Sequence, residues 1–223
     1  MSKRIVIGPA SHSVNTRSLT IEYESVIPDS LELFILLEKL RVCMCHGLIA
    51  LPRIGQLSAL TTLVIGYCDV LEQLPESLGC TIQSMSLHNC PALKQLPKSL
   101  GQLSSSLSVL SIRSCHALTQ LPESIGLLQA LRQLEIHWCS RLTKLPASMG
   151  QLENLPFVGI SWPCDIRFPK AEFLKPSRMD SFRMVCQRRY RPGQIFMLIV
   201  CAKRQKSDGL SGELWSALLH FIS

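Results

Sequence analysis

The residues best equipped for chemistry here are ten cysteines and six histidines in 223 residues. Three chemistries suit them: a zinc site, a disulfide framework and nucleophilic catalysis. Cys43-Met44-Cys45-His46 and Cys115-His116 hold metal-ligand types close together. A zinc site needs a second Cys/His pair at ligand spacing, and neither run has one. Cys45, Cys68, Cys90, Cys115 and Cys139 instead recur regularly, each six residues ahead of a Leu-Pro pair. That regularity describes one structural column rather than partners for disulfides. No G-x-S-x-G nucleophile motif accompanies the histidines. Cys164, Cys186 and Cys201 lie in a basic stretch of about 60 residues whose composition is poorly suited to a catalytic domain. The expectation is a protein that is not an enzyme and carries neither metal nor cofactor.

The spacing that removes these chemistries reveals the element that positions the residues. Leu-Pro or Ile-Pro pairs stand at 27–28, 51–52, 74–75, 96–97, 121–122 and 145–146, at intervals of 24, 23, 22, 25 and 24. Three residues after each of the five cysteines comes Leu48, Leu71, Leu93, Leu118 or Leu142. Before each comes one phrase: LEKLRVCMC, LTTLVIGYC, IQSMSLHNC, LSVLSIRSC, LRQLEIHWC, with LPFVGISWP a sixth that lacks the cysteine. The alternation before the cysteine predicts a short strand with two residues inward and their neighbours outward. A single unit of this length cannot bury its own leucines, whereas stacked units share a continuous core. The proline fixes φ near −65° and ends the hydrogen bonding of the return segment. Gly55, Gly79, Gly101, Gly126 and Gly150 are expected to permit the turn toward the next strand.

The pattern L-x-x-L-x-[IVL]-x-x-C-x-x-L-x-x-L-P, followed by x-x-[LIM]-G-x-L, resembles the leucine-rich repeats of plant nucleotide-binding leucine-rich-repeat disease resistance proteins. The stretch CHALTQLPESIGLLQALRQLEIHWCSRLTKLPASMGQLENL carries the likeness most clearly, and it extends over about residues 31–162. The resemblance implies an α/β repeat solenoid, a curved horseshoe of about six units. A parallel β-sheet would line its concave face, and irregular or short helical turns its convex side. It implies that the cysteine is turned inward beneath the bend after the strand. It also implies a non-catalytic recognition module of a plant intracellular immune receptor acting in defence. There the repeats meet pathogen-derived or guarded host proteins and hold a nucleotide switch off. The chain departs from that family in having no Gly-Lys pair, so the phosphate-binding loop G-x-x-x-x-G-K-[ST] is absent and no nucleotide is expected. Two alternatives stand beside this reading: a free-standing intracellular repeat scaffold, and a receptor fragment without function.

The chain divides into a degenerate N-terminal repeat or edge (1–30), the repeats (31–163) and a basic tail (164–223), read as either a cap or a disordered segment. Residues up to 163 carry 12 Lys/Arg against 11 Asp/Glu, and the remainder 11 against 5, so the net charge of +7 belongs mainly to the tail. The body therefore gives no sign of binding nucleic acid. No apolar run approaches the roughly 20 residues of a membrane span. The apolar run near Met1 is three residues long, where a secretory h-region needs about seven. The expected location is the reducing cytoplasm.

The outward strand positions are free of core duty, so their chemistry sets specificity. Two residues before the cysteine, successive units offer His88, Arg113 and His137; one residue before it come Tyr67, Trp138 and, in the last unit, Trp162. Arg132 lies upstream on the Trp138 unit. Exposed Trp and Arg dominate protein interfaces. A cationic and aromatic patch for a protein partner with acidic and apolar features is expected from Tyr67, His88, Arg113, Arg132, His137, Trp138 and Trp162.

Overall fold

The computed structural model describes residues 15–152, 155, 157–161, 183–187 and 196–200. Seven strands run parallel in chain order: β1 (Ser18–Glu22), β2 (Lys39–Cys43), β3 (Thr62–Gly66), β4 (Ser84–His88), β5 (Val109–Arg113), β6 (Gln133–His137) and β7 (Phe157–Ser161). β1 lies within the degenerate N-terminal unit, giving one more rung than the six units expected. Register is constant: Leu19, Leu40, Leu63, Met85, Leu110 and Leu134 form one column. Beyond β7 the sheet continues with antiparallel β9 (Phe196–Val200) and then β8 (Arg183–Gln187), within the segment read as cap or disordered tail.

The core follows the alternation. The Leu19-to-Leu134 column and the column of Ile21, Val42, Ile65, Leu87, Ile112 and Ile136 are buried behind the sheet. Leu48, Leu71, Leu93, Leu118 and Leu142 close the core from the return side. This is a curved leucine-rich-repeat solenoid, with the sheet on its concave face and short 3₁₀ turns outside. Those turns are Asp29–Leu33, Lys98–Leu103, Glu123–Leu127 and Ala147–Gln151. Each follows a proline in extended conformation (φ −71°, −65°, −69° and −64°). Each proline carbonyl accepts the backbone N–H three residues on, as Pro122 does from Ile125 at 3.0 Å.

The glutamate after the proline links adjacent repeats. Glu76 accepts the Ser99 backbone N–H (3.3 Å), and Glu123 accepts that of Ser148 (3.2 Å). A carboxylate from one unit thus meets an otherwise unsatisfied N–H at the start of the next unit's turn.

The glycines work differently from expectation. Among the described glycines only Gly79 has positive φ, at 82°. Elsewhere glycine is required by proximity. A Cβ on Gly126 would lie 2.3 Å from the Ser148 carbonyl oxygen, and one on Gly101 would lie 2.9 Å from Ser124 Cβ. The left-handed bend falls instead on the residue before each column cysteine: Met44, Tyr67, Asn89, Ser114 and Trp138, with Tyr23 in the first unit, at φ 51–62°. This bend drops the cysteine into the core. It also lets the bent residue extend the ladder, as Ser114 N–H donates to the His137 carbonyl at 2.8 Å.

Candidate functional site

The cysteine column is structural. All five thiols are buried and unpaired by disulfides. Each donates to the carbonyl two residues back, from 3.4 Å for Cys45 to 3.6 Å for Cys115. Cys139 also reaches the Ile112 carbonyl of the neighbouring rung at 4.0 Å. The adjacent Cys68 thiol and then burial push the Cys45 thiol up. At Cys68, hydrogen bonding with Cys45 pulls down, but Cys90 and burial outweigh it and carry the thiol to about 12. Contact with Cys115 pushes Cys90 to about 12, against a smaller opposing effect from Cys68 and with burial adding to it. Thiols held protonated at neutral pH are poor nucleophiles and poor metal ligands.

The concave face offers a different site. An open hollow of about 610 Å³ spans β3 to β6. Tyr67 and Trp138 stand at its two ends, both exposed (44% and 43%). Both owe their position to the left-handed bend, which lifts the side chain to the rim while the next residue turns inward. Between them lie His88, Asn89, Arg113 and Ser114, above a floor that includes Ser84, Ser86, Ser111, Gln133 and Glu135. Strand register places His88 beside Arg113 and Arg113 beside His137, as the repeat spacing implies.

The electrostatics differ from the expected cationic patch. Glu135 lies on β6, one alternation step before His137 and facing Arg113 of the neighbouring rung. It pairs with Arg113, accepts from Gln133 at 2.7 Å and Ser111 at 3.2 Å, and lies 3.9 Å from His137. Burial pushes its carboxyl up, but hydrogen bonds from Arg113, Gln133 and Ser111 and the Arg113 charge more than offset that and hold it below the usual range. The pair is asymmetric: the Glu135 side chain is 14% exposed and that of Arg113 is 53% exposed. The histidines are not additional cations at neutral pH. Burial first, then Arg41 and Arg113, lowers His88. Burial and Arg113 lower His137 against the opposing pull of Glu135.

His88 is held by its neighbours. A Cβ on Gly66 would fall 2.0 Å from the His88 Nε2 atom, so glycine at that rung gives the imidazole its space. Tyr67 meets His88 edge-on, with ring centroids 5.3 Å apart and planes at 85°. The site thus gathers Tyr67, His88, Arg113 and Trp138 at the hollow and places His137 beside the half-buried Glu135 carboxylate. Arg132 precedes β6, is exposed and does not line the hollow. Trp162 lies outside the described residues. Sequence reasoning missed Glu135 and Arg41, which occupy the outward column four residues before the cysteine. Period-2 alternation places that column on the same face and is the signal that finds it.

No family model matches the chain, and no curated protein matches it. Among solved structures, it is similar to the leucine-rich repeat domain of the type III effector XopL, at 23% identity and a TM-score of 0.41, over 70% of this chain and 68% of that one. The repeat architecture is set by this chain's own register, from β1 through β7. By its strand ladder, repeat length and column chemistry, the chain is a leucine-rich-repeat domain.

Proposed function

We propose that this chain is a non-catalytic protein-recognition module that holds its partner across the concave face of β3–β6. The observation that carries the reading is the exposed Tyr67, Arg113 and Trp138 around an open hollow, on a face with no core duty. Extended concave surfaces are what solenoids use for binding, and aromatic and arginine side chains supply most interface energy. The column of buried thiols, each spent on a backbone carbonyl, supports a role other than catalysis. The partner is a protein; nucleotide and nucleic acid are not its ligands. The sequence likeness in the L-x-x-L-P-x-S-[ILM]-G-x-L segments supports a finer reading, the repeat part of a plant immune receptor acting in the cytoplasm on a pathogen-derived or guarded host protein.

Photo-crosslinking in source tissue tests recognition. A photoreactive residue replacing Trp138 should capture one stoichiometric partner, and the same residue replacing convex-side Gln102 should not. Equal capture at both positions, or capture of chaperones alone, would overturn the concave-face reading. The immune reading predicts a transcript with an upstream in-frame G-x-x-x-x-G-K-[ST] segment; a transcript starting at Met1 would favour a free-standing scaffold.

A further inference from the structure

We infer that the hollow takes an extended peptide segment that crosses the strands, with apolar side chains four residues apart and an acidic side chain between them. This inference rests on the concave-face reading and adds the chemistry of the partner.

Spacing supplies the first part. Tyr67 and Trp138 occupy the same column, each directly after its strand (β3 and β6), three rungs apart. Three rung spacings of roughly 4.8 Å separate their backbones by about 14 Å. An extended chain rises about 3.4 Å per residue, so side chains at i and i+4 share a face and stand about 14 Å apart. One segment can therefore set an apolar side chain against each aromatic end at once.

Hydrogen bonding supplies the second part. The side chains of Ser84, Ser86 and Asn89 line the hollow, are half-buried and make no hydrogen bond within the described protein. Half-buried hydroxyl and amide groups between two aromatic walls suit the N–H and C=O groups of an extended backbone, which must themselves be satisfied on burial.

Charge supplies the third part. Glu135 lies low in the hollow with its oxygens engaged by Ser111, Arg113 and Gln133, while the Arg113 guanidinium stands above it in solvent. An arriving ligand meets the cation before the carboxylate. Arg41 on β2 has no ion-pair partner among the described residues and adds positive potential from the side of Tyr67. Arg113 lies on β5, two rungs from the Tyr67 rung and one from the Trp138 rung, which places the complementary carboxylate between the two apolar positions. A guanidinium receives a carboxylate through its planar fork.

Selection of a random linear peptide library displayed on phage against the full 223-residue chain tests this. The expected consensus has apolar residues at i and i+4 with Asp or Glu between. Binding of a synthetic consensus peptide, followed by fluorescence polarisation, should weaken at least tenfold on Trp138→Ala and on Arg113→Gln. It should hold within twofold on convex-side Gln102→Ala, and circular dichroism should show each variant folded. Enriched peptides that depend on Trp138 but lack the acidic residue or the four-residue spacing overturn this inference and leave the concave-face reading standing. Peptides insensitive to both Trp138→Ala and Tyr67→Ala overturn both. A selection that enriches no peptide overturns the linear-segment inference.

Discussion

Glu135 shows how one side chain changes the meaning of its neighbours. Without it, His88, Arg113 and His137 read as a positive stripe; with it, one guanidinium is oriented and partly neutralised from below. The carboxylate titrates below its ordinary 4.5, so its contribution is present above that value and lost as pH falls through the folded pKa. His88 and His137 titrate below their ordinary 6.5. The unfolded chain therefore binds protons that the folded chain refuses, and stability declines as pH drops from 6.5 toward the folded values. All three groups act in one direction. Glu135→Gln should cost about 1 kcal/mol at neutral pH, since Arg113 is half in solvent and screening weakens the pair. Melting temperature should fall steadily between about pH 7 and pH 5, and a His88→Gln, His137→Gln double variant should flatten that slope. Thermal melts across pH check both; a double variant with the parent's slope would mean the imidazoles titrate normally.

At the scale of the element, each repeat is a strand, a left-handed bend, a buried thiol, a return segment and a 3₁₀ turn. Two of these joints constrain residue choice for different reasons. The bend costs non-glycine residues backbone energy, yet the chain places large side chains there. The bend exposes Tyr67 and Trp138 on the concave rim while the following thiol is buried. The convex glycine has the opposite logic: its φ is ordinary at Gly126, but the next repeat's backbone occupies the space of a side chain. Gly126→Ala must push Ser148 away and should destabilise by about 1–3 kcal/mol, as overpacking does. At Gly79 the added Cβ has room, with its nearest neighbour 3.6 Å away, and strain comes from φ. Urea denaturation of Gly126→Ala distinguishes the causes. A cost below about 0.5 kcal/mol would show that the neighbouring unit yields without strain.

At the scale of the molecule, the core of the described residues is one column stack rather than a globule, and each repeat strand pairs with the next in chain order. Stability is then a sum of unit and interface contributions. A central core residue supports two interfaces. Leu110→Ala in β5, fully buried, should cost about 2–5 kcal/mol and lower the midpoint of unfolding. Equilibrium unfolding followed by circular dichroism checks this; a loss under about 1 kcal/mol would show that the fifth rung is not part of a continuous core.

The sequence by itself determined the periodic part of this protein. Strand positions, inward columns, the buried thiols, the proline-led turns and the juxtaposition of His88, Arg113 and His137 follow from intervals of 22 to 25 residues, because a ladder in constant register converts sequence offset into spatial column. Tertiary structure decided what lies between columns. It placed Glu135 beneath Arg113, leaned His88 over Gly66, and left Arg132 outside the hollow. It also moved the positive-φ bend to Tyr67, Trp138 and their column and gave most of the glycines a packing role. The physical reason is that periodicity fixes which face a residue occupies, whereas ion pairing, close approach and backbone handedness depend on distances between neighbouring rungs, which no single repeat encodes.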